Sequence, residues 1–177
     1  MALGGADYAL REARPFQMTS RAIVGIDPGQ SGGCALVGLN REVLEVHKMP
    51  ETVHGLAVLL ARLQQTTRLA IVESVQAMPG SFRGTVGSFK LGRHFGAILG
   101  VLAAQGWQIR LVTPVTWQRA LGCLTKGDKR ITRALAAEWF PTVKATHAIS
   151  DALLLATYGH DLVHTNQQGE STWRRKQ

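Results

Sequence analysis

The sequence predicts an α/β domain with a five-stranded mixed sheet flanked by helices, and three observations predict it. Three strand-like runs, 22–27, 34–39 and 42–49, follow one another with only turn residues between them. Two more short apolar runs, 69–73 and 107–112, then alternate with stretches of helical periodicity. The first and fourth of these runs each end on an acid, Asp27 and Glu73.

Residues 1–21 have little apolar periodicity and mix Gly, Ala, Arg and a lone Pro15, so a flexible leader is expected there. The uncharged Ile/Val run that follows is a buried strand. It stops at Asp27 because Pro28-Gly29 forces a turn, which leaves the carboxylate at the strand tip. Gly32-Gly33 releases a second apolar run at hairpin spacing, and residues 42–49 alternate as a third strand with one wet face, ended by Pro50. Thr52 opens a helix over 53–65, with Val53, Leu56, Leu59, Leu60 and Leu63 on one stripe. Residues 69–73 form the fourth strand.

Residues 74–90 read as a loop in which Gly80, Gly84 and Gly87 alternate with Phe82, Arg83, Phe89 and Lys90. A helix is expected from about 88 to 105, with Gly92, Gly96 and Gly100 at every fourth position. That stripe lets another backbone approach closely, either a core element or a second copy of the chain. The fifth strand covers 107–112, Thr113-Pro114 caps a short helix through Leu121, and 122–128 is a polar loop. A helix over 129–140 carries Lys129, Arg130 and Arg133 on its early turns. The last helix centres on the apolar run 152–158. The folded domain is placed at 22–162, with a basic polar tail over 163–177.

At 177 residues the chain suits one domain with a full core. Its 20 Lys+Arg against 12 Asp+Glu give a net charge of +8, and 14 of the 20 are arginine, the side chain that forks onto phosphate oxygens. A polyanionic partner is favoured over mere solubility, as the sequence pI of about 10.2 also indicates. The two cysteines, Cys34 and Cys123, have neither zinc nor disulfide spacing, so a reducing intracellular setting is expected. No apolar run approaches the roughly 20 residues that span a bilayer, so no membrane partner is expected.

Three hairpin-linked strands, a helix, a strand, a helix, a strand and further helices is the element order of a ribonuclease-H-like domain. In that architecture the first and fourth strands are neighbours, so Asp27 and Glu73 meet. His147 and Asp151 stand one helical turn apart and leave one face together. If that helix crosses the strand tips, four ligand-type side chains converge. Cutting a phosphodiester with two metal ions needs carboxylates shared between hard cations, and one imidazole can replace a carboxylate as ligand or proton shuttle. Ordinary structural roles stand beside this: a solvated turn for Asp27, a helix cap for Asp151, a surface position for His147.

Gly25-Ile26-Asp27-Pro28-Gly29 with Gly32, then Val72-Glu73, Lys90-Leu91-Gly92 and Asp151-Ala152-Leu153, resembles as an ordered set the RuvC family of Holliday junction resolvases, over residues 22–160. The phage and chloroplast branch is the most similar, through the glycine and aromatic loop after Glu73, Thr113-Pro114 with Trp117, and the polar loop Thr125-Lys126-Gly127-Asp128-Lys129. The resemblance implies a homodimer that binds a four-way DNA junction and nicks two strands symmetrically with Mg2+ or Mn2+ and no nucleotide cofactor. It places the chain in the cytoplasm of a bacterium, in a phage-encoded form, or in a chloroplast-type organelle. Asp27, Glu73 and Asp151 match the family's acidic positions, and His147 is assigned the fourth ligand although the usual position, three residues before the last aspartate, holds Ala148. Lys129 is the candidate cation at the scissile phosphate. The expected DNA contacts are Phe82, Arg83, Lys90, Arg93, Lys126, Lys129, Arg130 and Arg133. The family's aromatic wedge position holds Gln76, so Phe82 or Met78 is expected to replace it, with simple packing of Phe82 as the alternative.

Two other classes compete. A sugar-kinase or actin-like ATPase begins with a similar strand, aspartate and glycine hairpin but needs a second such domain, which the length excludes. A protein that binds junctions without cutting them, or another ribonuclease-H-like nuclease, remains open.

Overall fold

The uncharged run Ala22–Asp27 forms β1, and the Pro-Gly turn after it brings the chain back antiparallel as β2 (Gly33–Gly38), with Asp27 opposite Gly33 and Ala22 opposite Gly38. These strands belong to a computed structural model that describes residues 22–29, 31–75, 84–144 and 146–168. β3 (Val43–Lys48) pairs antiparallel with β2. After α1 (Val53–Leu63), β4 (Leu69–Glu73) returns on the other side of β1 and runs parallel to it. α2 (Gly84–Ala104) leads to β5 (Gln108–Val112), parallel to β4, and the sheet order is β3-β2-β1-β4-β5. Three helices finish the chain: α3 (Pro114–Ala120), α4 (Arg130–Trp139) and α5 (His147–Gln168).

Strand alternation divides the core between the two faces of the sheet. Val24, Ile26, Ala70 and Val72 pack with Leu56, Leu60, Ile98 and Leu102 of α1 and α2. Ile23, Leu69 and Ile71 pack with Trp117, Ala136 and the apolar run Ala152–Ala156 of α3, α4 and α5. Each large side chain removed from water contributes roughly 1.5–3 kcal/mol.

α5 lies directly on β1 because two glycines allow it. A Cβ on Gly25 would sit 2.1 Å from the Ala152 carbonyl oxygen, and one on Gly159 would sit 2.4 Å from Ile71 Cγ1. Thr146 caps the helix, its hydroxyl accepting from Ile149 N at 3.4 Å and its carbonyl from Ser150 N at 2.9 Å. Farther along, Arg41 in the β2–β3 turn reaches Asp161 Oδ1 at 2.7 Å and lies 5.7 Å from the Trp139 ring centre, while His160 meets the Leu39 carbonyl. α5 is thereby held on the sheet near both ends of its buried span.

Three expectations need correcting. α2 begins at Gly84, so residues 84–90, including Lys90, are helical rather than loop; once Ile98 and Leu102 anchor the helix, each earlier residue adds a hydrogen bond at little cost. α5 starts at His147, which makes Thr146 and not Asp151 the cap, and it continues to Gln168, so residues 163–168 are helix rather than tail. Of the two uses left open for α2, its Ile98 and Leu102 side packs in the core of the monomer, while the glycine side does not. The leader, residues 169–177, and Gln76, Met78, Phe82 and Arg83 lie outside the described residues. Among the described residues no helix is long and apolar enough to cross a membrane.

Candidate active site

Asp27 and Glu73 are the last residues of neighbouring parallel strands, one position beyond the Ile26–Val72 pair. Alternation from Ile23 and Ile71 turns both acids to the face that α5 covers. The space beside Gly33, the partner of Asp27, is filled by α5: a Cβ there would lie 3.1 Å from Ile149 Cδ1 and 3.3 Å from the Ala148 carbonyl. Asp151 falls between that contact and the Ala152–Gly25 contact. Asp27, Glu73 and Asp151 therefore share one face at one end of the sheet, and His147 stands one turn before Asp151 on the exposed start of the helix.

Burial pushes the Asp151 carboxyl above its ordinary range, while a hydrogen bond from the Thr132 hydroxyl and the charges of Lys129 and His147 pull it back. Its Oδ1 is buried with no hydrogen-bond partner among the described residues. Its Oδ2 lies 3.9 Å from Lys129 Nζ, an ion pair whose lysine is mostly exposed. Glu73 Oε2 accepts from the Trp117 indole Nε1–H at 2.9 Å. The two thiols beside the acids stay protonated: burial and then Asp27 push Cys34 up to about 12, and burial and then Asp151 push Cys123 up to about 11.

The loop before α4 is fixed from beneath. Gln118 Oε1 accepts from both the Thr125 amide and the Thr125 hydroxyl at 3.2 Å, and Lys126 takes a left-handed φ of 47° next to Gly127 at 98°. A lysine in that conformation costs about 1 kcal/mol or more. Lys126, Lys129 and Arg133 are exposed on this side. Arg130 is exposed too, but its guanidinium forks onto Asp128 at 2.8–3.1 Å and holds that carboxyl down to about 2, so it is less available than expected. On the other flank, Leu91 of α2 reaches the Asp27–Gly29 turn, its Cδ1 3.6 Å from where a Gly29 Cβ would be, with Lys90 and Arg93 exposed beside it.

The three carboxylates suit a hard divalent cation in kind, and the orphaned, buried Asp151 oxygen is the atom such an ion would satisfy. In this conformation they are not closed: among the described residues no three His, Cys, Asp or Glu side chains form a group that could hold a metal. Glu73 accepts from the Trp117 donor through one oxygen, and Asp151 faces Lys129 through one of its own. Sequence reading assigned Trp117, Thr132 and Gln118 no role at the site. Their partners lie up to 44 positions away along the chain, beyond any local signal.

Two solved structures of RuvC from Thermus thermophilus align with nearly their whole length. One, in complex with a Holliday junction substrate, matches with a TM-score of 0.56 at 19% identity, covering 83% of this chain and 96% of that one. The other matches with a TM-score of 0.59 at 18% identity, covering 82% and 96%. The fold is that of RuvC. It is a ribonuclease-H-like α/β fold, with its five-stranded mixed sheet in the order β3-β2-β1-β4-β5 between flanking helices. No protein-family model matches the chain, and no curated protein sequence matches it.

Proposed function

We propose that the chain is a divalent-metal-dependent endonuclease that binds four-way DNA junctions and resolves them by paired nicks. The observation that carries this reading is the set Asp27, Glu73 and Asp151 at one end of a RuvC-type sheet, with the buried Asp151 Oδ1 unpartnered among the described residues and Lys129 Nζ 3.9 Å from its Oδ2. Asp27, Glu73 and Asp151, with His147 at the rim, would hold Mg2+ or Mn2+. Such ions supply charge that neutralises the scissile phosphate and lowers the pKa of a water. Lys129 orients a phosphate oxygen from the exposed side, and Lys126, Arg133, Lys90 and Arg93 hold the DNA backbone on either flank. The likeness to the phage and chloroplast branch rests on Thr113-Pro114 with Trp117 and the Thr125–Lys129 loop.

Paired nicks need two sites related by a two-fold axis, so a homodimer is part of the proposal. The α2 face supports it: a Cβ on Gly92, Gly96 or Gly100 would meet nothing within 4 Å among the described residues, and Val86 and Phe89 at the start of the same helix are 68% and 69% exposed. The rival reading is a protein that binds junctions without cutting them.

A synthetic four-way junction, incubated with the full chain with and without Mg2+, tests both. Metal-dependent symmetric nicks are expected, and Asp27→Asn is expected to abolish them while binding the junction as tightly as the parent, since the basic flanks and not the acid hold the backbone. Binding with no nicks in Mg2+ or Mn2+ selects the rival, and cutting by the Asn variant at the parental rate removes Asp27 from the site.

A further inference from the structure

Trp117 is the largest side chain wholly buried in the core, and it carries a polar hydrogen to the edge of the site. It packs with Val112, Leu121 and the α5 residues of the same cluster, while its Nε1–H donates to Glu73 Oε2 at 2.9 Å. An indole nitrogen donates only, in one direction, from a ring that packing holds still. Its helix is itself anchored, with Thr113 accepting from Thr116 N at 3.2 Å and Pro114 at the first position. A glutamate at a strand end otherwise has three free torsions, whose ordering a bound cation would have to offset.

We propose that Trp117 is the positioning residue of the site. Its N–H fixes the plane of the Glu73 carboxylate before any cation arrives and so raises the site's affinity for divalent metal. This rests on the reading of Glu73 as a metal ligand. The rival is that Glu73 serves the tryptophan, merely satisfying a buried donor; in that case removing the N–H lowers stability and leaves metal affinity alone.

The test uses Trp117→Phe and an isostere, β-(3-benzothienyl)alanine at position 117, which keeps the ring shape and puts sulfur in place of the N–H. Mn2+ binding to the full chain without DNA is measured from the electron paramagnetic resonance signal of the free ion. Affinity is expected to fall about tenfold or more in both variants, the usual effect of losing a ligand's supporting hydrogen bond, with junction binding in EDTA unchanged. Parental Mn2+ affinity in the isostere overturns the proposal, and if the Phe variant does not fold the isostere decides alone. In 15N–1H spectra the Trp117 indole resonance is expected to move upfield in Glu73→Ala, and an unmoved resonance also overturns it. If the parent binds no Mn2+ while the resonance does move, the hydrogen bond stands and the metal reading of the site is what fails.

Discussion

Asp151 combines a cost to folding with a use in chemistry. Its carboxyl is buried, pushed up by desolvation, and one of its oxygens is unpartnered among the described residues. A carboxyl whose pKa is raised in the folded state stabilises least where it is ionised, so folding loses stability as pH rises through that range and regains it in acid. Asp151→Asn cannot ionise and is expected to be more stable than the parent at pH 7, by on the order of 1 kcal/mol, while cutting nothing. In chemical denaturation with EDTA present, the gap between the two should close as pH falls; a gap that stays constant would mean that the charge is not its source. His147, exposed at the head of the same helix, calls for a different comparison. As a ligand it should be replaceable by another ligand, so His147→Asp should retain appreciable cleavage where His147→Ala falls at least tenfold. Equal rates for parent and Ala variant would leave three acids as the whole site. That both lie one turn apart on one helix was readable in the sequence, because a residue pair at that spacing beside an apolar run is a local pattern. Trp117 and Thr132 were not, because packing, and not spacing, brings them to the acids.

At the scale of elements, sequence and structure agree wherever the core decides. Leu69–Glu73 reads as a strand because every residue before the acid is buried, and the helix over Arg130–Trp139 reads as one because its wet and dry faces separate. They part where a helix runs beyond its core contacts, as α2 does through the mostly exposed residues 86–90; with no apolar partner there is no periodicity to read. The overhang of α2 also makes the dimer testable. A Cβ on Gly96 meets nothing within 4 Å among the described residues, so Gly96→Arg should leave the fold intact and, with Gly no longer interrupting the helix, cost the monomer nothing. If a second copy packs there, the added side chain blocks close approach, and sedimentation at micromolar concentration should show dimer for the parent and monomer for the variant. An unchanged mass would move the interface elsewhere.

For the whole molecule the governing quantity is charge. A net +8 on 177 residues gives a general attraction for polyanions, but beside the acids a cation that is not forked onto a carboxylate releases counterions most readily when a junction binds, and the single 3.9 Å contact of the exposed Lys129 with Asp151 leaves it in that set. Lys126, Lys129 and Arg133 on one flank and Lys90 and Arg93 on the other are exposed, whereas Arg130 is held by Asp128. Five phosphate contacts per protomer contribute about −4 to −5 to the slope of log affinity against log salt, so about −9 for the proposed dimer, and the slope changes that follow are per protomer. The ion pair then separates two neighbouring arginines. Arg133→Ala should make the slope shallower by about 1, while Arg130→Ala should change it little, because displacing Asp128 offsets what a new phosphate contact supplies. Asp128→Asn frees the Arg130 guanidinium, and binding measured by anisotropy from 50 to 200 mM salt should then become both tighter and steeper. If instead Arg130→Ala weakens binding as much as Arg133→Ala does, the Asp128 pair opens on the DNA and contributes nothing to the selection of contacts.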